Sequence, residues 1–223
     1  VVENFRPGVM VRLGLGFENL KEFNSRIIYC AISGFGQDGP MKDYPAYDQI
    51  IQGLSGVMSV TGNDESGPLR VGFPLADTIG GITAAMGITA SLSNPEREAV
   101  LIDISMLEST MATMGWVISN YLTSAVDQMR MGNENFTSAP SGTFQTGDGL
   151  LNIAANKQEQ FEILCKLLKL EDLLHHPDFK TRELRKTNRE ILKTKLESEL
   201  KNDDAKSWSE LLNKAGVPAG EVL

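Results

Sequence analysis

Apolar residues along this chain fall into two kinds of run, and the two kinds alternate. Arg26–Ser33 and Ala99–Ser105 are short, continuous and rich in β-branched residues, which predicts strands. Other segments carry apolar positions at helical spacing. Ile50, Ile51 and Leu54 do so within Tyr47–Gly56, and Ile79, Ile82, Ala85, Met86 and Ala90 do so after Pro74. Met106–Ala125 is apolar over more than one stripe, which predicts a single long helix buried on several sides. Val1–Asn4 reads as the tail of a strand before a turn at Pro7-Gly8. Residues 9–24 read as one or two short helices broken at Gly14 and Gly16, Met58–Gly62 as extended chain, and Asn63–Pro68 as a polar turn.

Composition shifts near residue 130, where Met131–Asn135 and Ser138–Gly142 are polar and turn-forming. The expectation is two domains, 1–130 and 131–223. In the second, Gly147-Asp148-Gly149 reads as a hairpin turn between Thr143–Thr146 and Leu150–Ala155. Helices are predicted over Gln158–Leu170, Asn188–Leu200 and Asp204–Ala215, with Gly216 as a cap and Val217–Gly220 as a stop. Strands alternating with helices predict an α/β protein with its ligands at the carboxyl ends of the strands.

Of 223 residues, 41% are hydrophobic and 22% charged, as in ordinary globular proteins. The net charge of −8 argues against general nucleic-acid or anionic-membrane binding, and leaves a local basic pocket open. Cys30 and Cys165 lie far apart in apolar runs, which predicts buried free thiols in a reducing compartment. No apolar stretch is read as reaching bilayer-spanning length and no signal peptide is recognised, so the expected address is cytoplasmic. An organellar matrix stays open if a targeting segment has been removed. The chain opens on Val1 without a Met and closes just after a turn, which reads as the central piece of a longer protein.

Candidate chemistry is sparse. His175-His176 has no Cys or paired carboxylates around it, so no metal is expected, and no Ser-His-Asp or Cys-His set can be assembled. Ser33–Pro40 is glycine-rich but lacks the dinucleotide fingerprint, and by itself is a surface turn. Asp77 stands at the head of the small-residue helix that follows Pro74. It reads as the N-cap or its neighbour, held ionised by the helix dipole. Composition and periodicity take that carboxylate no further than a cap.

In order, Val2–Gly8, Gly14-Leu15, Ser33–Pro40, Tyr47-Asp48, Gln52–Gly56, Thr61-Gly62, Ala76-Asp77 with Gly80, Gly149-Leu150 and Gly216–Gly220 match a known pattern. The chain resembles the family III CoA-transferases, a group that includes formyl-CoA transferases, carnitine-related CoA-transferases and α-methylacyl-CoA racemases. The resemblance implies a partial Rossmann-like large domain, a smaller α/β domain and an interlocked homodimer. It also implies that Asp77 is a nucleophile forming a mixed anhydride and then an aspartyl-CoA thioester. Neighbouring N–H groups at the helix start would stabilise the oxyanions. By the same resemblance Asn4, Phe5 and Arg6 contact CoA, Arg12 faces its phosphates, and Pro45, Ala46, Tyr47 and Asp48 line the CoA and acyl sites. The implied ligands are an acyl-CoA thioester, as substrate rather than covalently bound cofactor, and a carboxylic acid.

The chain also departs from the group's patterns. Tyr47 stands where racemases place a histidine, and a phenol, with a proton lost only near pH ~10, is a poor acid/base at an α-carbon. Transfer is therefore favoured over racemisation, with a non-catalytic CoA-binding homologue as the third reading. Pro45 replaces a lysine of formyl-CoA transferases, which removes one phosphate contact. Ser138–Gly142 has one glycine where those enzymes have a glycine-run loop, which argues against formate or oxalate and places a larger dicarboxylic or carnitine-like acid beside them.

Overall fold

The two apolar runs expected as strands pair with each other. The computed structural model describes Val1–Leu223 and divides into two units, Val1–Arg130 and Met131–Leu223. The first runs β1 (Val2–Glu3), α1 (Val9–Arg12), α2 (Phe17–Phe23), β2 (Ile28–Ser33), α3 (Asp48–Leu54), α4 (Val57–Val60), α5 (Leu75–Leu92), β3 (Val100–Ser105), α6 (Met106–Thr113) and α7 (Gly115–Ser124). Its three strands form a parallel sheet in the order β1-β2-β3, with Ile28 opposite Val100 and Ser33 opposite Ser105. Their carboxyl ends therefore open on one side, as parallel registry requires.

Helix α5 packs on β2 and β3 and against α3 and α6. It approaches closely because Ala76, Gly80 and Ala84, one turn apart, form its buried stripe. A Cβ on Gly80 would lie 3.3 Å from Met106 Cγ, and one on Gly87 3.3 Å from Ile102 Cγ2. At 18 residues and a mean hydropathy of 1.3, α5 is by length and composition apolar enough to cross a membrane, against the expectation that no stretch is. Alanine, glycine and threonine dilute the run, so it does not read as a continuous apolar block. Its small inner face fits the sheet.

Three expectations for this unit fail locally. Val57–Val60 is a turn of helix rather than extended chain, entered through Gly56 at φ 89°. Met106–Ala125 is two helices, because at Met114 the N–H turns back to Met111 O (3.0 Å) and Gly115, a poor helix former, follows. Helix α7 buries none of its residues, and Trp116 and Leu122 are 58% and 75% exposed. Apolar girth does not guarantee an apposed surface within the same chain. Between α4 and α5 the polar turn closes on itself: Ser66 N–H donates to Asn63 Oδ1 (2.8 Å), and Leu69 N–H to Thr61 O (3.2 Å).

The second unit runs β4 (Ser141–Gln145), β5 (Leu150–Ala154), α8 (Gln158–Leu167), a 3-10 turn at Glu171–Leu174, α9 (Arg182–Thr187), α10 (Arg189–Leu200), α11 (Ala205–Lys214) and β6 (Ala219–Glu221). The strands form an antiparallel sheet in the order β4-β5-β6. The short β6 was expected only as a stop, since three residues carry no alternation to read. Phe144, Leu151, Ile153, Phe161, Leu164, Leu192, Leu196 and Leu212 form the core, as helical and strand periodicity dictate. Both cysteines are free and buried.

Arg185 of α9 lies 1% exposed beside that core. Its Nε donates to Ala139 O (3.0 Å), its Nη1 to Phe179 O (2.9 Å), and its guanidinium stacks 4.2 Å from the Phe161 ring centroid. One planar cation thus joins two loops to α8 through donors and a π face. Arg185→Ala strands two buried carbonyls and leaves a cavity, so urea unfolding should show a loss of about 3–5 kcal/mol. Arg185→Lys keeps the apolar stem but not the fork, and should lose less.

Candidate active site

The segments that leave the ends of β1 and β2 and the start of α5 enclose a cavity of about 510 Å³ within the first unit. Asn4, Phe5, Arg6 and Pro7 follow β1, Ser33 and Gly34 end β2, and Lys42, Tyr44, Pro45, Ala46 and Tyr47 cross the opening. Asp77 and Gly81 of α5 and Met106 complete the wall. Its size suits a small-molecule site, and its place at the carboxyl ends of parallel strands is the usual one.

Local chemistry fixes each wall. Asn4 Nδ2 donates to Ile32 O (2.8 Å), tying the exit of β1 to β2, and Phe5 N–H donates to Glu3 Oε2 (2.7 Å). Tyr44 stacks edge-on against Phe35 with ring centroids 6.3 Å apart. Gly34 has no side chain because Ala46 occupies that space, and an added Cβ would overlap the Ala46 methyl. Tyr47 is 80% exposed.

Asp77 is not the cap of α5. Pro74 holds the N-cap position and has no side-chain oxygen to offer, while Asp77 is the third helical residue. The cap comes from another helix. Asp48 Oδ1 accepts from Ala76 N–H (2.7 Å) and Asp77 N–H (3.4 Å), the two amides an N-cap side chain would serve. Asp48 Oδ2 accepts from Gln52 Nε2 (2.7 Å), one turn along α3. The Asp77 carboxylate itself accepts no hydrogen bond from the protein and faces the cavity.

The Asp77 carboxyl shifts opposite to the lowering expected at a helix start. Partial burial and the negative charge of Asp48 push the Asp77 carboxyl above the ordinary aspartate range. The helix-start amides that would have held it ionised are already occupied by Asp48. They are equally unavailable as the oxyanion donors expected from the sequence.

Of the other residues expected at the site, Asn4, Phe5, Arg6, Pro45, Ala46 and Tyr47 line the cavity with Asp77. Asp48 stands behind it, bonded to the backbone of α5. Arg12 is exposed on α1 and outside the cavity wall. Lys42 and Tyr44 line the cavity and were not anticipated. Lys42 is legible as a cation three residues before Pro45, the position of a lysine in formyl-CoA transferases. A more open cleft of about 440 Å³ in the second unit is lined by Glu134 and Asn152, and Glu134 is paired there with Lys193 (3.1 Å) and Arg189 (3.9 Å).

A family model described as CoA-transferase family III matches residues 1–223, and the chain belongs to that family. Acetyl-CoA:oxalate CoA-transferase from Acetobacter aceti is 38% identical over 226 residues, covering 100% of this chain and 58% of the relative. Human succinyl-CoA:glutarate CoA-transferase is 33% identical over 223 residues, covering 99% of this chain and 51% of the relative. A crystal structure of a CAIB/BAIF family protein from Brucella suis superposes with a TM-score of 0.89 at 34% identity, covering 100% of this chain and 60% of that one. The chain thus spans between half and three-fifths of the length of these relatives.

Two outcomes follow from the geometry. Removing the Asp48 charge in Asp48→Asn should lower the Asp77 titration midpoint, because like-charge repulsion is one of the two effects raising it; 13C NMR of the aspartate carboxyls reads this directly. Gly34→Ala should push Ala46 outward and destabilise the first unit by about 1–3 kcal/mol, with faster amide exchange over residues 44–47.

Proposed function

We propose that the intact protein moves CoA from an acyl thioester to a carboxylic acid, with Asp77 as the covalent nucleophile. The observation that carries this reading is one carboxylate in the cavity wall with no hydrogen bond of its own, on a backbone fixed by a second carboxylate. Such a group is placed but not neutralised, as a nucleophile requires.

The Asp77 oxygen attacks the thioester carbonyl and the C–S bond breaks, giving a mixed anhydride and CoA thiolate. The thiolate attacks the aspartyl carbonyl, releasing the donor acid as its carboxylate and leaving an aspartyl-CoA thioester. The acceptor carboxylate attacks that carbonyl and expels thiolate, which then attacks the acceptor's acyl carbonyl and restores Asp77. No net proton is exchanged. Because Ala76 and Asp77 N–H groups serve Asp48, the developing oxyanions fall to other donors of the wall, chiefly the Arg6 and Lys42 cations.

In this reading Asn4, Phe5, Arg6, Pro45, Ala46 and Tyr47 hold the thioester end of the ligand and Asp48 braces the nucleophile. Arg12, outside the cavity wall, meets the phosphate end. Two cations in the wall also suit an acceptor with a second carboxylate. The relatives' names carry oxalate and glutarate, both dicarboxylates, which favours a dicarboxylic acceptor here and returns oxalate to the candidates. An interlocked homodimer and a cytoplasmic address belong to the same reading, and a light-scattering mass of twice the subunit's checks the former.

Incubation with a panel of acyl-CoAs followed by mass spectrometry should give an adduct on Asp77 that hydroxylamine removes. Asp77→Ala should abolish both the adduct and CoA exchange. An adduct elsewhere overturns the mechanism. Solvent exchange of the α-proton without an acceptor acid would make the protein a racemase, and CoA binding without any adduct a non-catalytic homologue.

A further inference from the structure

Gln52 lies on α3 with no exposed surface, and its carboxamide is fully employed. Nε2 donates to Asp48 Oδ2 (2.7 Å) and to Phe73 O (3.2 Å), and Oε1 accepts from Val71 N–H (2.8 Å). A core glutamine with three partners is ordinary. What distinguishes these partners is that all lead to one place. Val71 and Phe73 belong to the chain that enters α5, and Asp48 holds Ala76 N–H and Asp77 N–H at its head.

The helix turn explains the pairing. Asp48 and Gln52 are four residues apart on α3, so their side chains stand on one face, and that face meets the Val71–Asp77 segment. A carboxylate alone could satisfy the α5 amides in several rotamers. With Oδ2 held by Gln52, only Oδ1 is left to reach Ala76, and the direction of the α5 head is fixed.

We propose that Gln52 is a positioning residue for Asp77, holding Asp48 and the Val71–Phe73 backbone so that the Asp77 carboxylate is presented to the cavity. The inference rests on Asp77 being the nucleophile. Gln52 does not itself line the cavity, and it acts through Asp48 and the backbone. The other charged groups lining the cavity with Asp77 are Arg6 and Lys42.

The test uses the intact protein, with Gln52→Leu and Gln52→Glu. Gln52→Leu should slow acyl-CoA adduct formation at Asp77 by roughly 10- to 100-fold, the scale of a misplaced reacting group. It should also speed amide exchange over residues 71–77 and move the Asp77 13C titration midpoint down, as the Asp48 charge swings away. In Gln52→Glu the introduced carboxyl can donate to Asp48 only while protonated. Adduct formation should then fall as pH rises through its titration, a limb absent from the wild type and not produced by a packing role. Wild-type adduct rate and Asp77 midpoint in Gln52→Leu, or a wild-type pH profile in Gln52→Glu, would overturn the proposal. If Gln52→Leu does not fold, the Gln52→Glu profile decides. If the wild type forms no Asp77 adduct, the transferase reading fails separately, and the Asp77 midpoint in the variants decides for Gln52: moved supports it, unmoved overturns it.

Discussion

The first unit depends on a cap supplied from outside the helix it caps. Pro74 gives α5 a fixed entry angle but nothing to meet its first amides, and Asp48 meets them from α3. An N-cap side chain contributes about 1 kcal/mol to its helix, and a charged acceptor somewhat more. Here the same bond also couples two helices distant in sequence. The carboxylate that caps and the carboxylate that lines the cavity are thereby different residues. Asp48 is spent on backbone donors and Asp77 is left to the cavity.

The second unit shows the corresponding device with opposite charge. Arg185 has no carboxylate partner and is satisfied by two carbonyls and a ring. A cation held by neutral dipoles avoids the need for a buried anion, and its planar fork sets the angle between the loops it joins. In both units a single polar side chain orders loops that hydrophobic contacts would leave loosely placed.

How much of this was readable from the chain depended on the range of the interaction involved. The strands at Ile28–Ser33 and Val100–Ser105 were legible as short apolar runs rich in β-branched residues, although only the first is buried along both faces, Leu101 and Asp103 of the second being exposed. The core faces of α8, α10 and α11 were legible from their spacing. Met114 was not, since a break in an apolar helix requires only one N–H to turn back. Asp77 was legible as a carboxylate at a helix head, yet its carboxyl is shifted up rather than down. Burial is the larger cause of that shift and the charge of Asp48, 29 residues away, the second, and no local pattern reveals either. Gln52 was legible only as part of the Gln52–Gly56 pattern, and its three partners come from the fold. Arg12 was named from its order along the chain, and it lies exposed on α1, outside the cavity wall.

The polar turn between α4 and α5 has a consequence for how such a protein can diversify. Thr61–Leu69 closes through its own hydrogen bonds, and the bonds to Gln52 begin only at Val71. Residues can therefore be added or removed in that turn at a small loop-closure cost, without transmitting a shift to the head of α5. Asp77 is insulated from length variation on its own N-terminal side. This surface loop can change length while the helix head beneath it stays in register.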